Sequence, residues 1–188
     1  VLKDKVIVLG VTGGIAAYKS CEIVRRLKEQ GAETHVMMTR AAREFVTPLT
    51  FQTLSGHPVH TELFSLTEEH EIGHISLADR ADLILIAPAT ADILAKIAHG
   101  ICDDLITTVV CATKAPVILA PSMNMNMWEN PITQENVRRL RQHRYQILEP
   151  DVGSLACGYE GKGRLPEVEI IIAEIVKNLS SAKKSLSK

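Results

Sequence analysis

Little in this chain is aromatic, and little of its charge is unbalanced. Phe, Trp and Tyr make up 4% of 188 residues, and 21 Lys and Arg stand against 22 Asp and Glu, for a net charge of −1. No sequence-wide field draws the chain to nucleic acid or to a membrane surface, and neither is expected as a partner. No apolar run nears the roughly 20 residues that a membrane-spanning helix needs. The four cysteines, Cys21, Cys102, Cys111 and Cys157, show no C-x-x-C spacing and have no secretory leader ahead of them, which predicts a reduced, cytoplasmic setting. No metal is expected. Internal repeats are absent as well. What abounds is Ile, Val, Leu and Ala, the palette of buried parallel strands covered by helices, in a length that suits one domain with a sizeable core.

Residues 5–11 read as a buried strand, Thr12-Gly13-Gly14 as a tight turn, 15–30 as a helix ended by Gly31, and 32–38 as a second strand. In such a unit the glycines let the backbone approach a phosphate, and the helix start offers it unpaired N–H groups. The glycines at 10, 13 and 14 miss the G-x-G-x-x-G spacing, and Met37-Met38-Thr39 lacks the acidic residue that would hold an NAD ribose. The pattern therefore points to a mononucleotide or another phosphate, with a turn that merely lets the helix pack close as the alternative. Thr39 either caps the short helical segment that follows it or reaches a ligand.

Residues 48–54 form another helix, and 56–73 read as a loop whose acidic run Glu68-Glu69-His70-Glu71 is a solvated face. His74 precedes the strongly apolar strand 83–87. It stands apart from His35, His57, His60, His70, His99 and His143, which fall in more polar or peripheral settings, and its role is either structural or chemical. Past that strand, Pro88-Ala89-Thr90-Ala91-Asp92 leads into a helix through residue 98. Thr90 either caps that helix or touches a planar or phosphorylated ligand. Asp103-Asp104 open a further helix to residue 112, where carboxylates suit the helix dipole.

The stretch with the oddest composition is Pro121-Ser122-Met123-Asn124-Met125-Asn126-Met127-Trp128, just past the strand 117–120. Residues beyond a strand's C-terminal end line the crevice where open α/β sheets take ligands. Three methionines and a tryptophan in a loop offer apolar surface, and the amides of Asn124 and Asn126 inside it need partners. These side chains either cap the core edge or hold a polar, oriented ligand. A helix over 131–143 and a short fifth strand over 145–148 follow. Residues 150–164 carry four glycines and read as a flexible loop, of a length that is either functional or disordered. Within it Cys157 sits between small residues, and is either an accessible thiol whose pKa Lys162 and Arg164 could lower, those two residues otherwise binding an anion, or an accidental surface cysteine. A last helix spans 168–179, and 180–188 is a polar basic tail, so the chain divides into a domain, 1–179, and a linker, 180–188. Strand and helix alternation predicts a three-layer α/β sandwich, a Rossmann-like or flavodoxin-like parallel sheet with helices on both faces.

Four segments then carry a family resemblance. The 121–128 stretch resembles the P-x-M-N-x-x-M-W substrate motif of the flavin-dependent cysteine decarboxylases, and Ala156-Cys157-Gly158 with Gly161, Gly163 and Arg164 resembles their catalytic flap. Thr12 to Lys19 and His74 match the other two signatures, in order and with spacing intact. The resemblance implies FMN as cofactor, its phosphate held by Gly13, Gly14 and Ile15 beside Thr39, and the rest of the flavin touched by Thr90, Ala91, Asp92, Ile93 and Ser122. It implies a small-molecule substrate, 4′-phosphopantothenoylcysteine, its carboxylate gripped by Asn124 and its body touched by Ser154 and Ala156. His74 would assist removal of a proton and hydride, giving a thioaldehyde that loses CO₂, and Cys157 would protonate the enethiolate as the flavin reduces it to 4′-phosphopantetheine. Coenzyme A biosynthesis is the implied setting, with a fused ligase domain in the full-length protein and self-association into trimers or dodecamers. Other branches of the fold remain as readings: a peptidyl-cysteine decarboxylase, a flavin prenyltransferase, and a non-catalytic paralogue that regulates a phosphatase. Tyr159 departs from the Asp of some relatives, so no role transfers to it. The first residue is not methionine, which together with the tail predicts an excised domain.

Overall fold

Successive residues of a strand point to opposite faces, so an apolar run buried on both sides divides its residues between two cores. The computed structural model of the chain, which describes residues 2–64, 73–154, 158 and 160–185, is built on that division. Strands β1 (Val6–Val11), β2 (Glu33–Met38), β3 (Val59–His60), β4 (Leu83–Ala89), β5 (Val117–Pro121) and β6 (Gln146–Ile147) form one parallel sheet in the order β3-β2-β1-β4-β5-β6. Ile7, Leu9 and Leu85 face a core closed by α1 (Lys19–Glu29), α2 (Pro48–Ser55) and α8 (Val168–Ser185). Val8, Ile84 and Ile86 face the opposite core, under α3 (Gly73–Arg80), α4 (Ala91–His99), α5 (Leu105–Ala112) and α7 (Pro131–Gln142). All six of these strand side chains are fully buried, each contributing about 1.5–3 kcal/mol of hydrophobic stabilisation. The result is the three-layer α/β sandwich that the alternation predicts.

The order is that of a doubly wound sheet. Setting aside the two-residue edge β3, the remaining strands follow the flavodoxin-like order, and with it the Rossmann-like one. From β1 the chain runs outward to β2 and β3, then crosses back to pair β4 with the other side of β1. That reversal opens a crevice at the carboxyl ends of β1 and β4, and it places the site.

The structure departs from the sequence reading in five places. The helix expected from Ile15 begins as a 3-10 turn, Ile15–Tyr18, before α1 takes over. The stretch from His74 is a helix, α3, anchored by Leu77 and Ala78 alone, too short for its period to stand out. Strand β3 lies within the expected loop 56–73, which makes 146–147 the sixth strand rather than the fifth. Within the expected flexible loop 150–164, two segments pair as an antiparallel hairpin, β7 (Asp151–Ser154) with β8 (Glu160–Arg164). Its glycines hide the alternation that marks a strand, because packing against α6 (Met125–Glu129) excludes side chains at 161 and 163. Finally, α8 runs on to Ser185, beyond the predicted end at residue 179.

Candidate active site

Three segments that follow strand ends, together with the hairpin, enclose a cavity of about 650 Å³. The first is the turn after β1. Thr12, 1% exposed, donates its hydroxyl to the Pro88 carbonyl at 2.6 Å and accepts from the Thr90 N–H at 3.2 Å, which ties the β1 turn to the end of β4. Ser20 adds a second tie, donating to the Ala87 carbonyl at 2.7 Å. Any side chain at Gly13 would run into Ala41, so glycine is required there by close approach. Gly13, Gly14 and Ile15 line the cavity. The Gly14 N–H donates to the Thr12 carbonyl at 3.0 Å, so an anion at the turn shares or displaces that bond.

Thr90 supplies the second wall. It is the N-cap of α4, its hydroxyl accepting from the Ile93 N–H at 3.4 Å, and it lines the cavity with Ala91. Ser122 opens the third segment, its N–H donating to the Ala89 carbonyl at 3.1 Å. What the composition suggests is a loop becomes the short helix α6, with Asn124 as N-cap accepting from the Asn126 N–H at 2.8 Å. Trp128 turns inward and is 4% exposed, while Met127 stays half exposed at the rim. The stretch thus divides: Trp128 caps the core edge, and Ser122, Met123, Asn124 and Met127 line the cavity.

The hairpin closes the remaining side. The Met123 N–H donates to the Gly163 carbonyl at 2.9 Å, an added Cβ at Gly163 would meet the Met123 carbonyl oxygen, and one at Gly161 would meet the Met125 sulfur. Lys162 lies over the Trp128 ring, 5.8 Å from its centre, and pairs with Glu149, which also holds Arg141. Burial pushes the Glu149 carboxyl up, but those two cations outweigh it and hold the carboxyl below its usual range. Arg164 lines the cavity and pairs with Glu167. Both basic residues predicted to attend Cys157 are thus engaged in ion pairs.

Not every predicted contact falls in the cavity. Thr39 accepts from the Ala42 N–H at 3.1 Å and serves as a cap; Asp92 is exposed and pairs with Lys96 at 3.5 Å; Ile93 is buried in the core beneath α4. None of the three lines the cavity of this chain. His74 does not line it either. Its Nδ1 is buried without a hydrogen-bond partner among the described residues. Ser154 ends β7, its side chain outside the described residues, as are Ala156, Cys157 and Tyr159. Tyr18, Lys19 and Leu165 line the cavity without a role having been assigned to them from the sequence; Tyr18 and Lys19 end the Thr12 to Lys19 signature, which is the signal that marks them.

A family model described as Flavoprotein matches residues 2–180. The chain belongs to the flavoprotein family. Over 172 residues it is 51% identical to the coenzyme A biosynthesis bifunctional protein CoaBC of Vibrio vulnificus, covering 92% of this chain and 43% of that protein. It spans less than half the length of the curated relatives it matches. Two solved structures share this flavoprotein's fold. The FMN-dependent cysteine decarboxylase SpaF superposes with a TM-score of 0.83 at 31% identity, covering 97% of this chain and 99% of that one. A PPC decarboxylase mutant complexed with pantothenoylaminoethenethiol gives 0.79 at 26%, covering 99% and 100%.

Proposed function

We propose that this chain binds FMN and decarboxylates 4′-phosphopantothenoylcysteine to 4′-phosphopantetheine in coenzyme A biosynthesis. The observation that carries the reading is the convergence of Gly13 and Gly14, Thr90, Ser122 and Asn124, and Arg164 on one cavity at the point where the sheet reverses direction. Its 650 Å³ falls within the roughly 300–1,000 Å³ of small-molecule sites. The donor set also fits a phosphorylated planar cofactor: a turn pressed so close that Gly13 admits no Cβ, and apolar walls from Ile15, Met123 and Leu165.

In this reading the backbone at Gly13, Gly14 and Ile15 binds the phosphate, and Thr90, Ala91 and Ser122 border the ring system. Asn124 orients the substrate carboxylate, with Ser154 and Ala156 approaching from the hairpin. Loss of CO₂ from a cysteine carboxylate leaves an unstabilised carbanion; bound FMN would supply a two-electron oxidation of the thiol-bearing carbon, whose thiocarbonyl would then take up the pair that CO₂ leaves, and would return the hydride afterwards. His74 takes up the first proton and Cys157 donates the last. The position of His74 off this chain's own cavity supports the further reading that it serves the cavity of a neighbouring copy in a trimer or a dodecamer. The fused ligase domain belongs to the full-length protein, a reading supported by the share of CoaBC that the chain spans. A cytoplasmic setting accompanies that role, and no helix among the described residues is long and apolar enough to cross a membrane.

The test is a visible absorption spectrum of the purified chain, followed by CO₂ release from phosphopantothenoylcysteine and, in parallel, from peptides ending in cysteine. A yellow protein active on the first substrate supports the reading. A colourless protein that FMN does not reconstitute overturns it, and activity confined to the peptides replaces the substrate.

A further inference from the structure

At the opposite end of the sheet from the cavity, three side chains with metal-binding atoms meet at the edge formed by β2 and β3. Glu33 and His35 lie two residues apart on β2 and so share a face. His57 arrives beside them just ahead of β3. One donor atom from each of Glu33, His35 and His57 falls within 4.8 Å of the other two. The Glu33 carboxylate and His35 Nε2 are 2.7 Å apart, and the rings of His35 and His57 lie with their centres 4.7 Å apart, tilted by 33°. His60 brings a third imidazole to the same corner, 6.3 Å from the His35 ring centre.

We propose that Glu33, His35 and His57 form a site for a divalent transition-metal ion that fastens the edge strand β3 to β2. Imidazole and carboxylate donors bind such an ion at about 2.0–2.2 Å, which brings two ligands of a tetrahedral centre to within roughly 3.5 Å of each other. The Glu33 carboxylate and His35 Nε2, at 2.7 Å, lie inside that value, and all three donors fall within 4.8 Å, so the cluster brackets the spacing such an ion requires. The donor set, two nitrogens and one carboxylate, selects zinc, nickel, cobalt or copper over magnesium and calcium, which require oxygen cages. The supports are already built. His35 is 7% exposed and held by the sheet, and Ser55 fixes the backbone of His57, accepting from its N–H at 3.1 Å and donating to its carbonyl at 3.2 Å. Arg80 occupies the approach, 2.9 Å from the Glu33 carboxylate. Its side chain is 52% exposed and swings into solvent as the ion enters. The site is a structural one: β3 pairs through only Val36↔Val59 and Met37↔His60, and a metal clip adds what so short a ladder lacks.

The experiment is calorimetric titration of the chelator-treated, dialysed chain with zinc or nickel chloride, and with magnesium chloride as the hard-ion comparison. One site per chain is expected for zinc and nickel, with a rise in thermal midpoint. His57→Gln and Glu33→Gln each weaken binding by at least about tenfold and abolish the midpoint rise, while flavin absorbance is unchanged. His35 is buried, so its replacement risks unfolding the chain, and the other two variants carry the test. Equal zinc and nickel affinity in the parent chain and His57→Gln, or binding by neither, overturns the proposal, as does an equal response to magnesium.

Discussion

The Met123 N–H is held by the carbonyl oxygen of Gly163 at 2.9 Å, so the segment after β5 and the second strand of the hairpin share a hydrogen bond at the cavity wall. A methyl group at 163 would collide with the Met123 carbonyl. Gly163→Ala is expected to push the hairpin off α6 and to lower decarboxylation kcat/KM by about a hundredfold, the cost of displacing a positioning group by around an ångström. Flavin absorbance should be retained. Near-parent kinetics would show that the contact does not position the hairpin.

Asn124 has two duties that substitution separates. Asn124→Ala removes the α6 cap and costs about 1 kcal/mol of stability, with KM raised and flavin still bound. Asn124→Ser keeps a capping oxygen but shortens the reach into the cavity, so stability should recover in urea melts while KM remains high. Recovery of both would assign Asn124 to capping alone.

Thr12 is the buried link between the β1 turn and β4. Thr12→Val leaves the Pro88 carbonyl and the Thr90 N–H without their shared hydroxyl, at a cost of about 1–3 kcal/mol. Both the urea midpoint and FMN affinity should fall, and Thr12→Ser should restore them. A loss of stability with FMN titration unchanged would detach the link from the cofactor site.

Glu149 makes the hairpin's anchorage acid-sensitive. Its carboxyl is held below the usual 4.5 in the folded chain, so its contribution is complete above that value and is lost as pH falls through the lower, folded one. With half of the side chain exposed, solvent and salt reduce that contribution to a small one. Protection of the described hairpin amides, measured relative to their intrinsic exchange rates, should therefore fall below about pH 4.5, and Glu149→Gln should flatten that dependence. An identical acid response in the variant would place the sensitivity elsewhere.

For Cys157→Ser, oxidation and CO₂ loss should proceed while the final protonation fails, leaving an unsaturated product two mass units below 4′-phosphopantetheine. A full yield of the saturated product by mass spectrometry would remove Cys157 from that step.

Much of this architecture was legible from hydrophobic pattern alone. Runs such as Leu83-Ile84-Leu85-Ile86 admit one placement, the sheet centre, and the glycine turn and the 121–128 stretch marked themselves by lying past strand ends. The edges were harder. Strands β3 and β6 are two residues each and carry no period, α3 hides its short apolar face, and the hairpin spends its interior positions on glycines because α6 lies against them. Thr39, Asp92 and Ile93 show the complementary effect. Nearness in sequence to a cavity residue did not bring their side chains to the cavity, because Thr39 turns to cap the segment after β2, while the first turn of α4 aims Asp92 at Lys96 and Ile93 at the core.

The hairpin is a separate two-stranded sheet with no ladder to the main one, fastened through Met123, Glu149 and a bond from the Glu167 N–H to Asp151. A disturbance of the hairpin therefore reaches the rest of the molecule through those few fastenings and not through the sheet, which leaves Gly13 and Thr90 anchored by β1 and β4 whatever the hairpin does.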